Sequence, residues 1–333
     1  MKRLKRRSLL ATIIIGALVS GGSVLAADSS GFPSRPVTLV VPFSPGGGVD
    51  LMARFYSKKL SEKWGQPVVV DNRPGAGGTI GTSHVAQARP DGYTLLFTSV
   101  AHAINPSFYP NLPFDALQDF EPISAIAKAP NGIAVNPDTP FKTLAELVAY
   151  AKKNPGQLTY GAISGSTTMH LGMAMFEKAA GIQLQYIPYK GTMASVQAAM
   201  TGEVNIVSSG YASSDTFAKE GKLRMLAVSS EEPTSLAPGI PTIASAADLP
   251  GFEVMNWMGM LAPAGTPKSV IQQINQDLKS IGQGPETAAF YKTQKNEMVY
   301  QTPEDFRNTI VNEIGRYEKI ISGLGLGMKY GKQ

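Results

Sequence analysis

From Pro33 onward, short β-branched runs alternate with longer amphipathic stretches, and loops rich in Gly, Pro, Asn and Asp separate them. That rhythm confines the chain to an α/β fold, because neighbouring parallel strands need a long crossover, usually a helix, between them. Strands are expected at residues 37–41, 68–70, 93–98, 184–187, 204–207 and 223–228, short and apolar like parallel strands covered on both faces. The helix expected over 49–64 puts Leu51, Met52, Phe55, Tyr56 and Leu60 on one stripe. Thr143 and Glu146 form a capping box that opens another helix, ending near Asn154, Pro155 and Gly156. Thr266 before Pro267 and Thr302 before Pro303 mark two more starts, each a hydroxyl N-cap followed by proline at the first helical position.

At about 150 residues per domain, 333 residues make about two lobes. No heptad pattern and no internal repeat interrupts this reading, so coiled coils and solenoids are excluded. Proline-rich joints at 120–130 and 249–263 carry the chain across twice, the second containing a long β-like run over 252–261. Two crossings imply that one lobe is inserted in the other. The first lobe is expected to comprise 27–127 plus 252–333, and the second 128–251.

The formal charge of +5 would suggest a nucleic-acid or membrane-surface partner, but its origin is local. Lys2, Arg3, Lys5, Arg6 and Arg7 precede an apolar run over 11–18, and Val24, Leu25 and Ala26 fit a signal-peptidase site before Ala27. Residues 1–26 therefore read as a signal peptide. Arg6 and Arg7 form the pair of a twin-arginine signal, although ordinary secretion is the expectation. Without that segment the remaining 25 basic residues balance 25 acidic ones, which leaves no concentrated positive field for nucleic acid. The absence of cysteine excludes disulfides, thiolate metal sites, a cysteine nucleophile and a lipoprotein anchor. The expected product is exported to the periplasm, carries no lipid anchor and is a monomer.

Two strand–loop–helix units carry the chemistry. In the first, Val40 and Val41 lead through Phe43, Ser44 and Pro45 to Gly46, Gly47 and Gly48, with Asp50 placed to cap the following helix or orient a water. Three glycines leave backbone N–H groups open at a helix N-terminus, where the macrodipole favours a carboxylate or phosphate. In the second, Gly161 to Ser164 lead to Gly165, Ser166, Thr167 and Thr168, whose hydroxyls and N–H groups can converge on one carboxylate or cap the helix. His170 reads as a packing histidine one turn into that helix. The loop from Asp71 to Gly81 mimics a dinucleotide fingerprint but has Ile80 where the last glycine belongs, so it reads as a structural turn with Arg73 facing the cleft. No G-x-S-x-G, Walker A or H-E-x-x-H motif occurs, and His84, His102 and His170 are far apart in sequence. No metal, cofactor or catalytic residue is expected. Trp64 and Trp257 read as core or hinge residues.

Several of these segments together resemble the Bug family, the periplasmic receptors of tripartite tricarboxylate transporters. They are Phe32 to Pro36, the Val41 to Gly48 loop, Asp71 to Gly78, Ala88 to Leu95, His102 to Pro106, Pro188 to Gly191 and Leu261 to Pro267. The resemblance implies a two-lobed type II periplasmic binding protein fold with a ligand cleft between the lobes. It further implies capture of a small organic carboxylate for membrane permease subunits or a sensor. By that analogy Phe43, Ser44, Gly46, Gly47, Gly48 and Asp50 grip one end of the solute, helped by Thr98, Ser99 and Ala101. Ser166, Thr167 and Thr168 take a carboxylate in the second lobe, and Tyr189 and Lys190 sit near the mouth. Where the family often reads V-D-L-M-F-D-N this chain reads from Val204 to Gly210 with Asn205, Ser208 and Ser209, so two acids are missing from the cleft wall. Ser208 and Ser209 join the ligand-binding candidates. A secreted hydrolase on the same scaffold, or a sensing receptor feeding a signalling system, would use the same cleft.

Overall fold

The computed structural model describes residues 31–109 and 111–326. The expected signal peptide, 1–26, lies outside the described residues. The strands are β1 (Val37–Val41), β2 (Val68–Asn72), β3 (Thr94–Ser99), β4 (Phe120–Val135), β5 (Thr159–Ile163), β6 (Gln185–Tyr189), β7 (Ile206–Gly210), β8 (Arg224–Val228), β9 (Met255–Pro263) and β10 (Glu297–Met298). The helices are α1 (Gly48–Trp64), α2 (Thr79–Ala86), α3 (Ala101–Phe108), α4 (Leu144–Lys153), α5 (Thr168–Ala180), α6 (Thr192–Met200), α7 (Tyr211–Lys219), α8 (Ile243–Ala246), α9 (Lys268–Gly282), α10 (Pro285–Thr293) and α11 (Pro303–Leu324).

β1 lies between β2 and β3, all parallel, and β3 continues antiparallel to β9. β9 pairs antiparallel with β4 from Phe120 to Pro130, after which β4 leaves it and runs antiparallel to β7 and β8. Parallel β5 and β6 complete this second sheet beyond β7. One long strand therefore belongs to two sheets, and β9 is its return partner. Both sheets are mixed rather than purely parallel, which corrects the expectation for β8. The edge strand β6 is also less buried than a two-sided core strand.

Side-chain alternation explains the layers. Leu39 and Val41 of β1 pack with Met52, Tyr56 and Leu60 of α1 and with Ile274 and Leu278 of α9. Val40, on the opposite face, packs with Leu96, Ile104, Phe306 and Tyr317. In the second sheet Ile133 and Val135 join Leu144, Leu147, Met173 and Phe176, while Ala134 joins Val196, Ala199 and Val207. Both sheets are thus covered by helices on both sides.

β4 is the element that sequence reading treated as a joint. Pro122 and Pro130 argue against a central strand, yet the register shifts between Pro122 and Ser124, so the missing N–H falls beside a bulge. Local signals fared well at three helix starts. Thr143 Oγ1 accepts from Glu146 N, Thr302 Oγ1 accepts from Asp305 N with Pro303 following, and Thr167 Oγ1 accepts from His170 N. The start at Thr266 is different: α9 begins at Lys268 with Pro267 as N-cap, and Thr266 Oγ1 donates to Pro263 O at 2.7 Å.

Candidate functional site

β1, β3, β5, β6 and β7 all deliver their C-terminal ends to one region, the usual place for a ligand in an α/β sheet. A cavity of about 470 Å³ opens there. Its wall comes from the Phe43 to Leu51 segment, the starts of α5, α6 and α7, and the crossing strands at Ala129 to Asn131, Asn256 and Met258.

The first loop is organised by its own acid. Asp50 Oδ2 accepts from Gly46 N and from Arg54 Nε, both at 2.9 Å, and Oδ1 accepts from Asn72 Nδ2 at 2.9 Å. Asn72 Nδ2 also donates to Phe43 O, and Arg54 Nη2 donates to Asn72 Oδ1, which closes the network. Burial raises the Asp50 pKa, but the Arg54, Gly46 and Asn72 hydrogen bonds outweigh it and hold the carboxyl below its ordinary value. Gly46 needs its glycine, with φ at +82°. Around Gly47 and Gly48 a side chain would meet open space, with Ser44 O and Thr192 Oγ1 no nearer than 3.8 Å to a Cβ at Gly47.

The second loop is organised differently. Thr167 Oγ1 donates to Ile163 O at 3.2 Å and caps α5 through His170 N. The first helical amides, Thr168 and Met169, have no intrahelical acceptor. Thr168 Oγ1 donates to Asn131 Oδ1 at 3.4 Å. Asn131 is 5 % exposed, and its Nδ2 has no partner among the described residues. Thr167, Thr168, Met169 and Asn131 all line the cavity. His170 does not line it; its ring stacks on Tyr186 at 4.1 Å, and burial lowers its pKa against the opposing bond to Gly165 O.

Phe43, Ser44, Gly46, Gly47, Gly48, Asp50, Ser99, Thr167 and Thr168 are brought together in the wall. Thr98, Ala101, Ser166, Tyr189, Ser208 and Ser209 lie outside it, each for a visible reason. Thr98 points opposite to Ser99 on β3 and is buried, and Ala101 is buried at the start of α3. Ser166 Oγ donates to Asn105 Oδ1 of the first lobe, forming a lobe-to-lobe contact. Tyr189 donates to Glu203 at 2.7 Å; burial first, then that acid, push its phenol up to about 12. Ser208 Oγ is turned to Met169 O at 2.9 Å, and Ser209 Oγ pairs with Ser214 Oγ at 2.6 Å. Arg73 pairs with Asp71 at 2.7 Å and is absent from the wall.

Sequence reading missed Asn131, Thr192, Tyr211, Ser213, Asn256 and Asn296. Thr192 and Tyr211 open helices directly after strands, so the strand–loop–helix rule that found the first two loops would have found them. Asn131 and Asn256 sit on crossing strands, where no local motif marks them.

Segments distant in sequence also meet directly. Ser44 Oγ donates to Lys190 O at 3.3 Å, and a Cβ on Gly165 would stand 3.0 Å from Tyr109 Oη and 3.1 Å from Gly77 Cα. Trp257 is buried edge-on against Phe306, and Trp64 Nε1 donates to Asp277 at 2.8 Å. Among the described residues, no group of three or more His, Asp or Glu could hold a metal ion. No described helix is long and apolar enough to cross a membrane.

The family model for the tripartite tricarboxylate transporter family receptor matches residues 52–326. The chain belongs to this family. Protein BugT of Bordetella pertussis is 32 % identical over 319 residues, covering 95 % of this chain and 98 % of BugT, so the Bug resemblance stands. Among solved structures, R. palustris Rpa4515 with adipate superposes with a TM-score of 0.85 at 31 % identity, covering 89 % of this receptor chain and 99 % of that one. MatC from Rhodopseudomonas palustris with bound malate gives 0.81 at 26 % identity, covering 87 % and 100 %. The receptor thus has the two-lobed α/β fold of these binding proteins.

Proposed function

We propose that this receptor captures a small organic carboxylate between its lobes and presents it to the membrane permease subunits of a tripartite tricarboxylate-type transporter, leaving the solute chemically unchanged. The observation that carries this reading is the convergence on one cavity of the Thr168 and Met169 amides, which have no intrahelical acceptor, and the unpartnered Asn131 amide. These are donors without a counter-charge, which suit a carboxylate and supply neither a nucleophile nor a base. Adipate in one relative and malate in another support the ligand class. In this reading residues 27–127 with 252–333 form one lobe and 128–251 the other. The apolar clusters follow that division in the main, although Leu171 joins a first-lobe cluster and Phe252 and Val254 join the second-lobe one, and β4 and β9 form the crossings.

The same reading makes the protein periplasmic, unanchored and monomeric. Its test is thermal unfolding of the purified protein with a panel of carboxylates, followed by mass spectrometry of the recovered solute. A ligand at 100 times its dissociation constant should add about 2.7 kcal/mol of stability. Recovery of a hydrolysed product would replace the receptor with an enzyme.

A further inference from the structure

A second cavity, of about 500 Å³, is lined by α7, by β8 and by Lys295 from the turn between α10 and β10. Its charges do not balance. Lys219, Arg224 and Lys295 line it together with one acid, Asp215, so three cations less one carboxylate leave two positive charges in excess. That acid is fully engaged: Lys219 Nζ donates to Asp215 Oδ2 at 2.6 Å, and Tyr211 Oη donates to Oδ1 at 2.8 Å. Among the described residues, no carboxylate pairs with Arg224 or Lys295.

Arg224 Nη1 donates to Pro137 O at 3.3 Å and to Phe141 O at 3.4 Å, long bonds to neutral acceptors that position the guanidinium without neutralising it. Arg224 and Lys295 are both half-buried. A cation partly withdrawn from water gains most from an anion that completes it. Lys295 is held there by an uncommon backbone, since its φ of +51° lies in the left-handed region, where glycine or asparagine is the easier choice. The two cations also belong to different sheets. Arg224 lies on β8, which pairs with the second-sheet half of β4, and Lys295 stands just before β10, which pairs with the first-sheet half. Apolar Leu223, Met225, Pro238 and Ile240 line the cavity beside them, which lowers the local dielectric and strengthens the pull on an entering anion.

We infer that this cavity is an anion site separate from the solute cavity, taking a small divalent oxyanion of the phosphate or sulfate type between Arg224 and Lys295. A tetrahedral dianion matches the excess charge and has enough oxygens to accept from the guanidinium fork and the ammonium together. Bound there, one ligand ties the two sheets to each other.

Titration calorimetry of the purified receptor with inorganic phosphate, and separately with sulfate, tests the inference at constant ionic strength, which keeps screening fixed. Either anion should bind wild-type protein saturably. Lys295→Asn removes the charge with a residue that tolerates the left-handed backbone, and it should weaken phosphate about tenfold without lowering the unfolding midpoint. Arg224→Gln removes the fork and should weaken phosphate by at least as much. Tyr211 lines both cavities, so Asn131→Ala, which alters the solute cavity, is the control and should leave phosphate affinity unchanged. Absence of saturable phosphate binding by cooperatively folded wild-type protein overturns the inference, as does wild-type affinity in folded Lys295→Asn. Loss of binding in Asn131→Ala with retention in Lys295→Asn puts the phosphate in the solute cavity and overturns it equally.

Discussion

The loop before α1 and the loop before α5 are built on one plan, a strand end, small residues and a helix N-terminus, yet they arrive at opposite electrostatic states. Before α1, Asp50 reaches back to Gly46 N and is locked by Arg54 and Asn72. Before α5, Thr167 caps the helix by itself, and the neighbouring Asn131 amide is left unpaired. At α1 the carboxylate supplied by the chain takes Gly46 N, just outside the helix, and the first helical amides carry no side-chain cap, whereas at α5 the Thr167 hydroxyl takes His170 N. The difference rests on one acidic side chain in the first turn of α1, whereas α5 has none there.

The widest contrast between the lobes should appear in acid. His102, packed between Phe114 and Phe120 in the first lobe, is buried, and that burial lowers its pKa to about 4 despite the bond from Nε2 to Ala116 O. Its unfolded value is near 6.5, so between the two the unfolded chain binds a proton that the native ring refuses. Stability is therefore complete above about pH 6.5 and falls as the pH drops toward 4, by about 3 kcal/mol in all. Half-buried His170 acts in the same direction. Urea unfolding at several pH values should show this slope, and His102→Gln should flatten it; an unchanged slope in the variant would assign the acid sensitivity to other groups.

Next in size is the contact between the loop before α5 and the Gly77 and Tyr109 side of the other lobe. Gly165 has φ +94°, and a side chain there would press on Tyr109 and on the Gly77 backbone. Gly165→Val should hold the lobes apart and weaken carboxylate binding about a hundredfold, because only the closed fraction binds. X-ray scattering should show that ligand no longer contracts the variant. Retention of both contraction and affinity would separate closure from this contact.

Asp50→Asn should blur the distinction between the loops. Removing the charge that Arg54 balances leaves the guanidinium uncompensated beside the loop, so carboxylate binding should strengthen by about threefold, measured by calorimetry on variant protein with an unchanged fold. Unaltered affinity would mean that the Asp50–Arg54 pair does not act on the ligand. An equally small effect, of opposite sign, is expected from Gly47→Asp, where a Cβ makes only ordinary contacts, 3.8 Å from Ser44 O and 3.9 Å from Thr192 Oγ1. Its added charge joins the cavity wall on a flexible, solvent-screened side chain, so carboxylate binding should weaken by only about threefold. A loss as large as that of Gly165→Val would reverse the ranking of the two loops.

What was legible in the chain was local. The strand ends, the glycine requirement at Gly46, the hydroxyl caps at Thr143, Thr167 and Thr302 and the proline at Pro303 depend on neighbours a few residues away, and sequence shows those neighbours directly. The α/β alternation is legible for the same reason, because strand and helix periods are written into successive residues. What failed was the facing of individual hydroxyls. Thr98 and Ser99 are adjacent and chemically alike, but only Ser99 lines the cavity.

Sequence by itself thus determined the secondary-structure rhythm, the two loop units and the charge balance once residues 1–26 are set aside. Tertiary structure decided which polar groups were spent on the protein and which were left over. Ser166 is engaged by Asn105, 61 residues away, and Ser124 by Gln301, 177 residues away. Asn131 became a free donor because β4 runs on through both sheets past two prolines, leaving Thr168 its side-chain partner. A hydrogen-bonding group is available to a ligand only after every distant partner has been placed, and that placement is a property of packing, not of local sequence.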